Sequence, residues 1–232
     1  MAALLGTLFS APSLQAADSL IGRWISGSES LTDSSGFTAP GTHDGVAVGS
    51  SAASLAWSVD VPIGFPPGKS LDLTANNVAV QINNTATTDG AGYQTTFDND
   101  ISTKFTGTFW FKGTLGGAWF SKSGNTPFGW QSRPLSPYVD FTMRNNSGEP
   151  VGTGSSMTSN PTTYTDGAWH HVAVVFDGTA SFRKLYVDGV LKNTVTGTPY
   201  SVNFANKSHL ILGARQGDKD ALGVQLPNVP YK

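Results

Sequence analysis

Asp166-Gly167-Ala168-Trp169-His170-His171-Val172-Ala173-Val174-Val175-Phe176-Asp177-Gly178, with Lys184-Leu185-Tyr186-Val187-Asp188-Gly189-Val190-Leu191 shortly after it, decides how this chain folds. From Trp169 to Phe176 the residues are aromatic or β-branched with apolar side chains at both parities. That composition predicts a central strand buried on both faces. The second stretch places two apolar arms around Asp-Gly, the pair that supplies the positive φ angles of a two-residue hairpin turn. In that register Val187 faces Val190, and Tyr186 faces Leu191 on the opposite side. Neighbours on a strand point to opposite faces, so His170 and His171 cannot easily share one metal ion, and packing and hydrogen bonding within a sandwich account for them.

Outward from this core the same grammar repeats. Leu71-Asp72-Leu73, Val78 to Ile82, Phe105 to Phe111, Ala118 to Lys122, Tyr138 to Arg144 and His209 to Gly213 read as strands separated by turns, and residues 149–164 read as a loop. Val61-Pro62-Ile63-Gly64-Phe65-Pro66-Pro67-Gly68 cannot cross the middle of a sheet, because proline lacks the ladder N–H; it is expected on the surface, within one domain. The 232 residues carry 27 Gly, 13 Pro and only 13% charged side chains, a balance that favours many short strands over helices. A net charge of -2 offers no basic field for a phosphate backbone, so nucleic acid is not an expected partner. Without cysteine there is no disulfide framework and no thiolate site. Residues 1–17 combine a short apolar run with the small-residue ending Ser13-Leu14-Gln15-Ala16-Ala17, which reads as a secretory signal remnant before a domain over 18–232. The run is too short to span a bilayer, so stable membrane insertion is not expected and the chain reads as secreted or cell-surface.

The segments Asp166 to Gly178, Lys184 to Gly189 and Leu210-Ile211-Leu212-Gly213-Ala214 together resemble the laminin-G-like family within the concanavalin A-like lectin/glucanase superfamily. Asp33-Ser34-Ser35-Gly36, Ser70 to Leu73, Phe109-Trp110-Phe111 and Phe120-Ser121-Lys122 fit it more loosely, and the resemblance covers about 20–217. It implies an all-β, two-sheet antiparallel β-sandwich of the jelly-roll type. The family usually finishes with a closing strand bearing Gly, an acidic pair and an aromatic residue. The chain instead ends at Asn228-Val229-Pro230-Tyr231-Lys232, so the domain is expected to lack its final strand and to expose a sheet edge through which copies could assemble.

Function follows the fold only loosely. Glycosidase chemistry needs two carboxylates held close together, whereas the only glutamates, Glu29 and Glu149, stand far apart in turn-like contexts. The expectation is therefore a non-catalytic extracellular module that binds a glycan or a surface protein. The alternatives are an adhesive cell-envelope component and a polysaccharide-degrading enzyme. Sugar binding calls for exposed aromatic platforms beside amides and carboxylates, and Trp119, Phe128, Trp130 and Tyr138 surround a loop of that chemistry. The resemblance to calcium-binding laminin-G and lectin domains draws attention to Asp33, Asp44, Asp98 and Asp100 as ligands for Ca2+. His43 and His209 stand alone. Asn83, Asn145 and Asn206 lie in glycosylation sequons.

Overall fold

A computed structural model describes residues 23, 29–35, 43–48, 52–65, 67–73, 78–82, 104–113, 120–122, 130–135, 138–143, 156–159, 162–197, 210–213, 215–219 and 225–228, some of them by backbone alone. Fifteen strands occupy them: β1 (Gly45–Val48), β2 (Ala56–Ser58), β3 (Ser70–Asp72), β4 (Ala79–Ile82), β5 (Lys104–Lys112), β6 (Phe120–Lys122), β7 (Trp130–Leu135), β8 (Tyr138–Met143), β9 (Ser156–Thr158), β10 (Trp169–Asp177), β11 (Phe182–Val187), β12 (Val190–Thr196), β13 (Leu210–Leu212), β14 (Arg215–Lys219) and β15 (Gln225–Asn228). One sheet runs β1-β4-β13-β6-β7-β8-β9 and a second runs β12-β11-β10-β5, while β14-β15 and β2-β3 form two-stranded ladders. Every pairing is antiparallel. The architecture is the all-β sandwich expected.

The core lies between the two large sheets. Val80, Ile82, Val139, Phe141, Met143, Met157 and Leu210 from the larger meet Phe111, Val172, Val174, Phe176, Leu185 and Val187 from the smaller. Aromatic contacts cross the gap, Phe105 edge-on to Phe141 at 6.4 Å and Phe109 beside Phe120 at 5.5 Å. Gly107 of β5 has no side chain where Phe120 lies; a Cβ there would stand 3.0 Å from Phe120 Cε1. At one side the sheets meet directly, since Asn193 Nδ2 of β12 donates to the Thr158 carbonyl of β9 at 3.1 Å.

The Asp-Gly hairpin forms in the register expected, Val187 opposite Val190 and Tyr186 opposite Leu191. Asp188 and Gly189 take φ of 51° and 75°, the left-handed pair such a turn demands. Two expectations need correction. β10 is central to its sheet but buried on one face only: Val172, Val174 and Phe176 enter the core, whereas Ala173 and Val175 are half-buried. Among the described strands β10 has neighbours only within its own sheet, β5 and β11. The stretch 149–164 contains β9, which pairs with β8. The proline-rich stretch lies at the surface as expected, in the loop of a hairpin in which β2 pairs with β3 through Ser58 and Ser70 on either side of it. β14 and β15 follow β13 and pair with each other.

Candidate functional site

Strand alternation sorts the smaller sheet into a core face and an outer face. On β5 the outward residues are Lys104, Thr106, Thr108, Trp110 and Lys112, all exposed. Cross-strand register sets His171 beside Trp110, Ala173 beside Thr108, Val175 beside Thr106 and Asp177 beside Lys104. On the next strand Tyr186 lies beside Ala173 and Lys184 beside Val175. The outer face is therefore a shallow floor of small side chains, rising to Tyr186 and Lys184 on one flank.

One end of this floor is aromatic. Trp110 is 40% exposed, unusual for a residue that normally buries its ring. The His171 ring lies 5.1 Å from it, and Phe65, 50% exposed, meets it edge-on at 5.4 Å. Phe65 comes from the β2–β3 loop, whose Gly64 takes φ 88° in a turn closed by Phe65 N–H donating to the Pro62 carbonyl. Asp60 fixes the same loop to the sheet: its Oδ1 accepts the Trp169 indole N–H at 2.8 Å and its Oδ2 binds the Lys112 ammonium. Lys112 first, and then the Trp169 indole, hold the Asp60 carboxyl below the usual carboxylate range. At the opposite end Lys104 and Asp177 form an ion pair at 3.2 Å.

Beneath the aromatic end, His170 faces inward between two carboxylates. Its Nδ1 lies 2.8 Å from Asp188 Oδ2 and its Nε2 3.1 Å from Asp166 Oδ1. Tyr164 makes a T-shaped contact with the ring at 5.0 Å, Phe111 lies 5.6 Å away, and the Lys192 ammonium lies over the Tyr164 ring at 5.6 Å. Ionised carboxylates only accept, so both ring nitrogens donate when the imidazole is protonated. Burial works against that charge, but the hydrogen bonds and charges of Asp188 and then Asp166 outweigh it and raise His170 above the ordinary histidine value. Asp188 also accepts the His171 N–H at 2.9 Å, and its own N–H donates to the His171 carbonyl. The hairpin tip is thereby clamped to the start of β10. The two histidines do point to opposite faces, one into this cluster and one onto Trp110.

The residues singled out from sequence are dispersed. Trp119, Phe128, Asp98 and Asp100 lie outside the described residues, as do Glu149, His209 and the three sequon asparagines. Trp130 pairs with Met143 at one end of the β7–β8 ladder and half-buried Tyr138 pairs with Leu135 at the other. The structure does not bring these two together. Asp33 and Asp44 do meet, but through Asp33 N–H donating to Asp44 Oδ1 at 2.8 Å. The Asp33 carboxylate accepts the N–H groups of Arg23 and Ser35 and the Ser35 hydroxyl, and buried His43 lies 3.5 Å away. Oxygens so occupied by donors of their own loop do not fit a calcium cage, which needs six to eight free oxygen ligands. Among the described residues no group of three or more metal-ligating side chains converges. Glu29 is exposed and pairs with Lys69 at 3.2 Å. Alternation across Phe109-Trp110-Phe111 already sends Trp110 outward, so the missed platform had a signal. Its partner Phe65 had none, being brought there by the fold alone.

A family model described as the concanavalin A-like lectin/glucanases superfamily, of the laminin G type, matches residues 84–229. Among solved structures, the chain is similar to one of botulinum neurotoxin type C, a toxin described as dependent upon interaction with two ganglioside molecules to enter cells. The TM-score is 0.52 at 15% identity, covering 83% of this chain and 42% of that one. A second, described as HCR/D-Sa, gives a TM-score of 0.50 at 17% identity, covering 78% and 39%. Domains LG4-5 of the mouse laminin alpha1 chain give 0.40 at 12% identity, covering 56% and 34%. The chain thus spans less than half the length of these structures, and at such identities the likeness concerns the fold. No curated protein matches the chain. No helix among the described residues is long and apolar enough to cross a membrane.

Proposed function

The chain belongs to the concanavalin A-like lectin/glucanases superfamily, and on that premise we propose that it is a non-catalytic, extracellular carbohydrate-binding module whose platform is the outer face of the smaller sheet. The observation that carries this reading is Trp110, held open on a strand between His171 and the edge of Phe65. A rigid indole on a strand offers the apolar face of a sugar a flat surface at little conformational cost. Thr108, His171 and Lys112 surround it with hydroxyl, imidazole and ammonium groups able to bond sugar hydroxyls. Sites for small molecules combine the same two ingredients, apolar contact for affinity and a few polar groups for orientation.

The carboxylates support a binding role over hydrolysis. Retaining and inverting glycosidases both need one acid and one base free to address the glycosidic bond. Asp166 and Asp188 both bind the one imidazole, Asp60 is committed to Lys112 and Trp169, and Asp177 to Lys104. One toxin similar in fold is described as dependent upon gangliosides for cell entry, which agrees with a glycan as the partner.

Affinity electrophoresis of the purified chain through gels containing single polysaccharides tests the reading, run with calcium and again with chelator. Retardation by at least one polysaccharide is expected, and the occupied oxygens of Asp33 predict that chelator leaves it intact. Migration unaffected by every glycan, with reducing ends released from one of them, would instead establish an enzyme.

A further inference from the structure

A loop lies against one end of the outer face, and that shape together with the charges around it selects the ligand's mode of binding. Thr106, Thr108, Ala173 and Val175 make the floor of that face, and six residue steps at about 3.3 Å each give a length of roughly 20 Å from Lys104 to Trp110, longer than one sugar ring. Tyr186 and Lys184 form the flank toward β11. At one end of the floor stands the Lys104–Asp177 ion pair. At the other end the β2–β3 loop lies across the strands. Asp60 ties it to β5 through Lys112 and to β10 through Trp169, so the bar spans both strands of the floor, and Phe65 stands against Trp110.

From this geometry, and resting on the proposed carbohydrate-binding role, we infer that the site takes the end of an uncharged glycan chain. The terminal sugar stacks on Trp110, the loop from Asp60 to Phe65 stops it, and the preceding units lie along Thr108 and Thr106. A chain passing through the site would have to cross the bar. Charge points to a neutral chain, because Lys112 is matched by Asp60 and Lys104 by Asp177, and the Lys184 ammonium on the flank lies over the Phe182 ring. A polyanion would have to displace both carboxylates to reach them.

Asp60 is a positioning residue in this scheme. It holds the bar in place, and its side chain is too exposed for its loss to unfold the sheets.

The test uses the full chain and whichever neutral polysaccharide retards it, intact and after partial acid hydrolysis to about one-tenth of its length. At equal mass the hydrolysate holds about ten times as many ends, so end recognition predicts about tenfold tighter apparent binding per unit mass by simple mass action. Binding per unit mass that is unchanged or weaker after hydrolysis overturns chain-end recognition and leaves the carbohydrate role standing. Retardation by no polysaccharide of the panel overturns both. Asp60→Ala should reduce the tenfold preference for the hydrolysate to near unity, because the bar is freed; a preference equal to the parent's would show that the loop is no stop. Thr106→Arg, on the exposed floor, should weaken an oligosaccharide at least fivefold more than the monosaccharide, and equal effects on the two would contradict a chain lying along the floor. Gels containing an acidic polysaccharide should leave migration unaffected even at about 0.05 M salt, where screening is weak, whereas retardation there that is lost at about 0.5 M salt would refute the neutral assignment.

Discussion

Replacing Asp188 by Asn separates the two roles of the hairpin tip. Asn tolerates the left-handed φ of 51° and keeps an oxygen for the His171 N–H, so the turn itself should survive. What disappears is the negative charge 2.8 Å from His170 Nδ1. In the parent His170 stands above its ordinary value despite burial. A folded value above the unfolded one, about 6.5, means that the bound proton stabilises the fold fully below about pH 6.5 and ceases to do so as pH rises through the raised value. A hydrogen bond to a charged group contributes about 1.5–3 kcal/mol when buried. The Asp188 side chain is 43% exposed, although the His170 side chain is only 12% exposed, and solvent screening brings the figure to about 1 kcal/mol. Urea unfolding at about pH 5 should therefore show Asp188→Asn less stable by about 1 kcal/mol, a melting shift of roughly 2–4 °C for a chain of this size, with the gap falling to less than half at about pH 9. A gap that is constant with pH, or larger at the alkaline end, would refute the clamp.

Gly107→Ala should destabilise the sandwich. The added Cβ meets Phe120 at 3.0 Å, and overpacking of about 1–3 kcal/mol outweighs the entropic gain of about 0.4–1 kcal/mol from losing a glycine; denaturant titration giving a variant as stable as the parent would show that Phe120 yields freely. Asp33→Asn should cost about 1–2 kcal/mol, since a nearly buried carboxylate that binds Arg23, Ser35 and His43 loses charge-assisted bonds. That loss should be the same in calcium and in chelator by differential scanning calorimetry, and a calcium-dependent loss would make Asp33 a metal ligand.

The sequence made the sheets legible wherever physics is local. Alternation located β5 and β8, the aromatic and β-branched run located β10, and Asp188-Gly189 gave β11 and the hairpin register to the residue, because a two-residue turn leaves no freedom in pairing. β9 escaped notice because Ser156-Met157-Thr158 has no alternation to read among its Gly and Ser neighbours; only Met157, wholly buried against the core, justifies the strand. The apolar run Val172 to Phe176 overstated burial, since β propensity and burial draw on the same residue types. Trp110 was visible as an outward aromatic, but its value depends on Phe65, 45 positions earlier, and on Asp60, whose partners Lys112 and Trp169 sit on different strands. Such a site is assembled by cross-strand register, which no local pattern encodes.

Trp110→Ala is the most direct measure of the central claim. Titration calorimetry with a polysaccharide that retards the parent should show the variant bound at least thirtyfold more weakly, the equivalent of about 2 kcal/mol for an anchoring tryptophan. Its far-ultraviolet circular dichroism and melting temperature should match the parent's, because the side chain lies on the outer face of the sheet. Undiminished affinity in a folded Trp110→Ala protein would contradict the account and place the glycan elsewhere on the sandwich.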